Sequence, residues 1–129
     1  MELAKVEVVK RIDDDGIAEV AVKGAIITNL SGTDAAPILE DILQECNPPH
    51  VILNLANVRY LDSYSFNWII RLYKETEKKG GMFAISNPNE DIISLFELSN
   101  FGKAVPVFRT YEEARAAILT KDDSKRIAQ

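Results

Sequence analysis

The sequence predicts an α/β domain in which about four helices pack on one mixed, mainly parallel sheet of about five strands. Two observations predict this fold. Two short, alternating apolar segments flank an Asp-Gly turn, which indicates an antiparallel N-terminal hairpin. After a first helical segment, apolar strand patterns alternate three times with amphipathic helix patterns. Such repeated strand–helix–strand units with short links imply parallel pairing and right-handed crossovers.

The N-terminal hairpin is expected over residues 6–12 and 17–22, where apolar and polar side chains alternate. Between them, Asp13-Asp14-Asp15-Gly16 is typical of a tight turn, because Asp and Gly tolerate positive φ. The three acids lack the alternate-residue ligand spacing and the distal glutamate of a calcium loop. We therefore interpret this segment as a turn.

The later elements follow from apolar periodicity and capping residues. A helix is expected to begin at Thr33 or Asp34 and to end at Asn47-Pro48-Pro49. Residues 51–55 are almost continuously apolar, which is typical of a central strand covered on both faces. The elements predicted after it are a helix over residues 63–79, a strand over 82–85, a helix opened by Asn87-Pro88, a strand over 105–108 and a helix capped by Thr110. Pro106 places the last strand at an edge, because proline lacks a ladder donor.

Length and charge indicate one domain and exclude several classes of protein. Of the 129 residues, we assign 1–120 to the folded domain and expect 121–129, which are charged and polar, to fray as a C-terminal tail. Fifteen basic and twenty acidic residues give a net charge of −5, which argues against binding nucleic acid. Cys46 is the only cysteine, so we expect no intrachain disulfide and a reducing environment.

The sequence carries no recognisable catalytic or membrane motif. His50 is the single histidine and has no sequence partner for a nucleophile–base pair. Glycine-rich phosphate loops and metal-ligand spacings are missing too, so we expect no enzyme activity, no cofactor and no bound metal. With no signal peptide and no apolar run near the roughly 18 residues that span a bilayer, we expect a cytoplasmic protein that is not inserted in a membrane.

Asp62 and Ser63 form the strongest candidate site. They fall between the carboxyl end of the central strand and the start of a helix, which is where open α/β sheets usually place function. The helix start offers unpaired amides and a partial positive charge, so the fold would tolerate a phosphate on Ser63. From position alone, the simpler interpretation is that Ser63 is the N-cap of the helix, and capping does not exclude modification.

The helix that follows has two apolar faces. The first is predicted to lie on the sheet because its residues recur at helical spacing; it comprises Phe66, Ile69, Ile70 and Tyr73. Tyr64, Trp68 and Leu72 lie on a different side at i, i+4 and i+8, where aromatic rings beside Ser63 resemble a protein-binding anchor. Coverage by a neighbouring helix or by the polar loop is the alternative interpretation.

Three segments together resemble the STAS domain, the fold of bacterial anti-sigma factor antagonists and of the cytoplasmic tails of sulfate transporters. Residues 51–58 resemble its central strand and turn, and Leu61-Asp62-Ser63 matches the start of its Asp-Ser-Ser/Thr-Gly signature. Residues 95–101 resemble its third helix. Tyr64 stands where a second Ser or Thr is usual, and Ser65 replaces the glycine.

The resemblance implies a non-enzymatic switch. In antagonist-type members, a kinase that is also the anti-sigma factor phosphorylates the serine after the aspartate, and a phosphatase reverses the modification. By position, the phosphorylation site here is Ser63. The implied partners are an anti-sigma factor and serine kinase of the GHKL ATPase type and a protein phosphatase, and homodimerisation remains open. The residues expected to contact the partner are Asp62, Ser63, Tyr64, Ser65, Trp68 and Leu72.

Two other functions stay open at this point. A STAS scaffold or a ligand-binding subunit of a transport system would need a stable complex with a permease or ATPase and no phosphorylation. A small hydrolase that uses Ser63 would need a base that the sequence does not supply.

Overall fold

The computed structural model describes residues 6–127. Residues 1–5 of the expected domain and residues 128–129 of the expected tail lie outside this range. The strands are β1 (Glu7–Ile12), β2 (Ile17–Lys23), β3 (Ile26–Ile27), β4 (His50–Asn57), β5 (Tyr60–Leu61), β6 (Met82–Ser86) and β7 (Val107–Phe108). The helices are α1 (Ala35–Glu45), α2 (Ser63–Lys78), α3 (Glu90–Leu98) and α4 (Tyr111–Thr120).

The main sheet has five strands in the order β1-β2-β4-β6-β7. Strands β1 and β2 are antiparallel, and every other neighbouring pair is parallel. The turn of the hairpin is closed by Asp13, whose Oδ1 accepts hydrogen bonds from the amides of Asp15 (2.9 Å) and Ile17 (3.0 Å). Gly16 there has a φ of +80°, a conformation that glycine adopts without steric cost. The predicted mixed sheet and N-terminal hairpin are thus confirmed.

Strand β4 lies at the centre of the sheet and is buried on both faces. Val51, Leu53 and Leu55 join the larger apolar core, which α1, α2 and α3 help to form. Ile52 points to the opposite face, into a smaller core that includes Ala114 of α4. This double coverage explains the almost continuous apolar run in the sequence.

A second, two-stranded sheet lies beside the site. Strands β3 and β5 run parallel, with Ile26 opposite Tyr60 and Ile27 opposite Leu61. Elements of two residues are too short to show an alternating pattern, so the sequence did not reveal them. Their pairing brings the turn after β3 next to the start of α2.

The end of the described chain folds back onto the domain. The Ile127 amide donates to the carbonyl oxygen of Val107 (2.7 Å), and the Arg126 guanidinium donates to the carbonyl oxygen of Lys103 (2.8 Å). The Ile127 side chain packs against the larger core. The prediction that residues 121–129 fray is therefore wrong for Arg126 and Ile127, because backbone bonds and apolar contact hold them at the sheet edge.

Candidate functional site

The carboxylate of Asp62 holds together the two segments that form the site. Asp62 is the N-cap of α2, and its Oδ1 accepts a hydrogen bond from the amide of Ser65 at 2.8 Å. Its Oδ2 accepts one from the amide of Asn29 at 2.9 Å. One side chain thus caps the helix and anchors the turn that follows β3.

Ser65 completes this connection from inside the protein. Its side chain is fully buried, and its Oγ accepts a hydrogen bond from the Leu30 amide at 2.8 Å. The prediction that Ser65 contacts a partner is wrong for this conformation, because its hydroxyl is used within the fold.

The environment of Asp62 favours the charged carboxylate. Partial burial opposes ionisation, but the hydrogen bond from the Ser65 amide, the nearby Ser65 hydroxyl and the hydrogen bond from the Asn29 amide outweigh it. The pKa of Asp62 is consequently lowered from 3.8. The capping carboxylate is therefore ionised at neutral pH.

Ser63 is the first residue of α2, and its side chain is exposed. Because Asp62 supplies the cap, the interpretation of Ser63 as the N-cap is wrong. The sequence offers two adjacent residues that both cap helices well, and only the backbone shows which one lies outside the first turn. The Ser63 hydroxyl is thus presented at the positive end of a 16-residue helix without a capping role.

The side chains of Tyr64, Trp68 and Leu72 lie at increasing depth along α2. Tyr64 is 73% exposed, Trp68 is partly buried against the core, and Leu72 is 2% exposed. The prediction that Leu72 belongs to a partner surface is wrong, because it lines the interior beside Leu39 and Leu43 of α1. Of this face, Tyr64 and part of Trp68 remain accessible.

A cavity of about 480 Å³ opens beside Ser63, between β5 and α3. Its apolar lining consists of Tyr60, Leu61, Phe66, Ile92 and Leu95. Sequence reasoning did not identify this cavity, because residues some thirty positions apart form it and no local pattern joins them. It provides an apolar surface adjacent to the exposed hydroxyl.

Two further findings concern other kinds of site. Within residues 6–127, no three or more His, Cys, Asp or Glu side chains are grouped so that they could hold a metal ion. Over the same range, none of the helices combines the length and the apolar character needed to cross a membrane.

The lowered pKa of Asp62 leads to a testable pH dependence of stability. A carboxyl group whose pKa is lower in the folded than in the unfolded state stabilises the fold at pH values above the unfolded-state pKa. This stabilisation is lost as pH falls through the folded-state pKa. We expect Asp62→Asn to lower the free energy of unfolding by roughly 1 kcal/mol at pH 7, because the amide cannot accept both backbone hydrogen bonds. The difference from wild type should shrink as pH falls below 3.8. Urea unfolding at pH 7, 5 and 3 measures it.

Asp34→Asn is the matched control. Asp34 is the N-cap of α1, but its side chain forms no capping hydrogen bond. We expect its free energy of unfolding to follow that of wild type at each pH. A difference between Asp62→Asn and wild type that stays constant from pH 7 to pH 3 would contradict the assignment.

Comparison with known proteins identifies relatives. A family model of the STAS domain matches residues 9–114. A Thermotoga maritima protein provisionally named an anti-sigma factor antagonist is 31% identical over 71 residues, which are 55% of this chain. The match spans 63% of that relative's length. The anti-sigma F factor antagonist of Paenibacillus polymyxa is 27% identical over 93 residues, covering 67% of this chain and 80% of the relative.

Solved structures share the architecture. The crystal structure of an anti-sigma factor antagonist from Mycobacterium paratuberculosis superposes with a TM-score of 0.69 at 22% identity, covering 88% of this chain and 94% of that one. A STAS domain protein from Planctomyces limnophilus gives a TM-score of 0.69 at 16% identity, covering 90% of this chain and 99% of that one. At these identities the likeness shows a common fold. Together with the family model, which spans most of the described residues, it shows that this chain belongs to the STAS domain family.

Proposed function

We propose that this protein is a cytoplasmic anti-sigma factor antagonist that is switched off by phosphorylation. It binds an anti-sigma factor that is also a serine kinase of the GHKL ATPase type. That kinase modifies Ser63, and a protein phosphatase restores the unmodified form. The observation that carries the proposal is the exposed hydroxyl of Ser63 at the start of α2, beside a capping carboxylate that belongs to Asp62. The names of the relatives support the same general role.

Differences in exposure favour Ser63 over its neighbours as the proposed phosphate acceptor. Ser65 is fully buried and bonded to Leu30, so a kinase cannot reach it without opening the site. Ser63 is exposed and serves neither as cap nor as core. A change at Ser63 therefore alters the surface while Asp62 and Ser65 keep the start of α2 in place.

The energetics favour a switch of binding over a switch of folding. A phosphoserine brings about −1.5 to −2 charges at neutral pH. Within this protein, the helix dipole offsets that charge by roughly 0.3–2 kcal/mol, so the domain remains folded. Under a bound partner, an unpaired buried charge costs several kcal/mol, and each 1.4 kcal/mol or so changes affinity about tenfold. Phosphorylation therefore weakens the complex and leaves the protein intact.

The proposed contact surface consists of Ser63, Tyr64 and the accessible parts of the Trp68 and Asp62 side chains. Tyr64 is the most exposed aromatic residue near the acceptor and can bury a large ring against a partner. Ser65 and Leu72 support this surface from the interior.

The decisive experiment uses the purified anti-sigma factor kinase from the same genome, with ATP. We expect intact-mass and fragment spectra to place one phosphate on Ser63, and none on the Ser63→Ala variant. Ser94→Ala is the matched control, since Ser94 is an exposed serine on α3. By calorimetry, the phosphorylated protein should bind the kinase about 100-fold more weakly than the unmodified one. Equal affinities for the two forms would overturn the proposal.

A further inference from the structure

Arg59 has a fixed backbone beside the candidate site. Its amide donates to the carbonyl oxygen of Ala25 at 2.8 Å, and its own carbonyl oxygen accepts from Asn89 Nδ2 at 3.0 Å. These bonds join the segment before β5 to the residue that precedes β3 on one side and to the N-cap of α3 on the other. The Arg59 side chain therefore starts from a well-defined position.

The guanidinium of Arg59 forms no ion pair with the described residues. Arg59 is exposed, and among residues 6–127 no carboxylate lies within 4.0 Å of its side-chain nitrogens. Asp62 and Asp91 line the same cavity. Asp62 already accepts two backbone hydrogen bonds, and Asp91 is not paired with Arg59. An unpaired arginine is thus available on a protein whose net charge is −5.

Arg59 and Ser63 line one cavity, and the rest of its lining is largely apolar. Leu95 of α3 is 41% exposed at this cavity, so a side chain of the partner can contact apolar surface without rearrangement of this protein. An apolar pocket with few polar groups suits an anchoring residue, and the guanidinium suits a carboxylate beside it. The chemistry matches an apolar side chain flanked by Asp or Glu.

We propose that Arg59 exchanges ion-pair partners when the switch operates. In the unmodified state it pairs with a carboxylate of the anti-sigma factor, whose neighbouring apolar side chain occupies the cavity. After phosphorylation, the phosphate on Ser63 pairs with the guanidinium in place of that carboxylate, because a dianion with three acceptor oxygens is the stronger partner. This inference rests on the proposed function of Ser63, and it adds competition for one cation to the cost of burying the phosphate under the partner.

The pairing in the modified state can be tested without the partner. Full-length protein with phosphoserine genetically encoded at position 63 is titrated by ³¹P NMR. A free phosphoserine has a second pKa near 6, and a close guanidinium should lower it by about 0.5 or more. The other titratable residues that line this cavity are the same in every sample; they are Tyr60, Asp62 and Asp91. Relative to this parent, Arg59→Gln should raise the phosphate pKa by about 0.5 or more and Arg59→Lys should change it less. A pKa that does not respond to Arg59→Gln would overturn the inference.

Arg71→Gln is the matched control for charge. Arg71 is also exposed and lies on α2, but it lines the grooves around Trp68 and is not part of the lining that contains Ser63. We expect this variant to leave the phosphate pKa near that of the parent. An equal response to Arg71→Gln would show a general charge effect and overturn the specific pairing.

The pairing in the unmodified state is tested by binding to the anti-sigma factor kinase. We expect Arg59→Gln and Leu95→Asp each to weaken binding about tenfold or more, since they remove the cation and the apolar lining. Leu98→Asp is the matched control, because Leu98 is 86% exposed on the same helix and lies outside the cavity lining. Loss of binding on phosphorylation, with no effect of Arg59→Gln or Leu95→Asp, would overturn the inference and leave the switch standing. Binding that ignores phosphorylation would overturn the switch itself.

Discussion

Gly81→Ala is expected to destabilise the fold severely. Gly81 is buried just before β6, and a methyl group there would overlap the carbonyl oxygen of Pro49 and lie 2.6 Å from its carbonyl carbon. Both atoms belong to backbone that leads into β4, whose His50 is paired with Met82 of β6. Neither strand can retreat without breaking the central register of the sheet. We expect a loss of about 4 kcal/mol or more, measured by urea unfolding followed by circular dichroism.

Gly24→Ala is the matched control for the loss of a glycine. A methyl group at Gly24 would meet only the side chains of Val6 and Ile27, at 3.8 and 3.9 Å. These are ordinary contact distances, so we expect the free energy of unfolding to change by less than about 1 kcal/mol. Cooperative unfolding of Gly81→Ala at the wild-type urea concentration would show that the approach of the two backbones is not the constraint we describe.

Phe96→Ala is expected to have the second largest effect on stability. Phe96 is buried on α3, and its ring lies 4.9 Å from that of Phe66 on α2, with the planes tilted by 59°. Truncation leaves a cavity and removes this aromatic pair, which together cost about 3–5 kcal/mol. Because Phe66 also lines the cavity beside Ser63, the variant should leave the lining of that cavity less tightly packed. Thermal and urea unfolding measure the loss.

Phe101→Ala serves as its control. Phe101 is also aromatic and close to α3 in the chain, but it is exposed and its ring lies under the ammonium group of Lys74 at 4.7 Å. Exposed cation–π pairs contribute about 0.5–1 kcal/mol, so we expect a correspondingly small loss. Comparable losses for the two variants would show that burial of Phe96 does not set its contribution.

The parts of the fold that could be predicted are those encoded locally. The Asp-Gly turn, the apolar run of β4 and the cap at Thr110 each depend on a few adjacent residues, and all three are present in the structure. The position of Asp62 and Ser63 at the start of α2 could be predicted for the same reason.

The parts that could not be predicted depend on which elements pack together. Helical spacing places Leu72 on the side of Tyr64, but only the approach of α1 shows that Leu72 is covered and Tyr64 is not. The cavity that contains Arg59 forms where β5 meets α3, and no short segment encodes that meeting. Tertiary contacts, rather than propensity, decide which predicted site residues a partner can reach.

The return of the chain to β7 also affects how this protein behaves among copies of itself. A strand at the border of a sheet offers free amides and carbonyls on which a foreign strand can grow. Here the Ile127 amide already donates a hydrogen bond to the carbonyl oxygen of Val107, which points away from the sheet. At the opposite border, β1 carries the charged side chains of Glu7, Lys10 and Arg11, which discourage such growth. We therefore expect both margins of the main sheet to resist the addition of a foreign strand, because the segment around Ile127 covers one and charged side chains line the other.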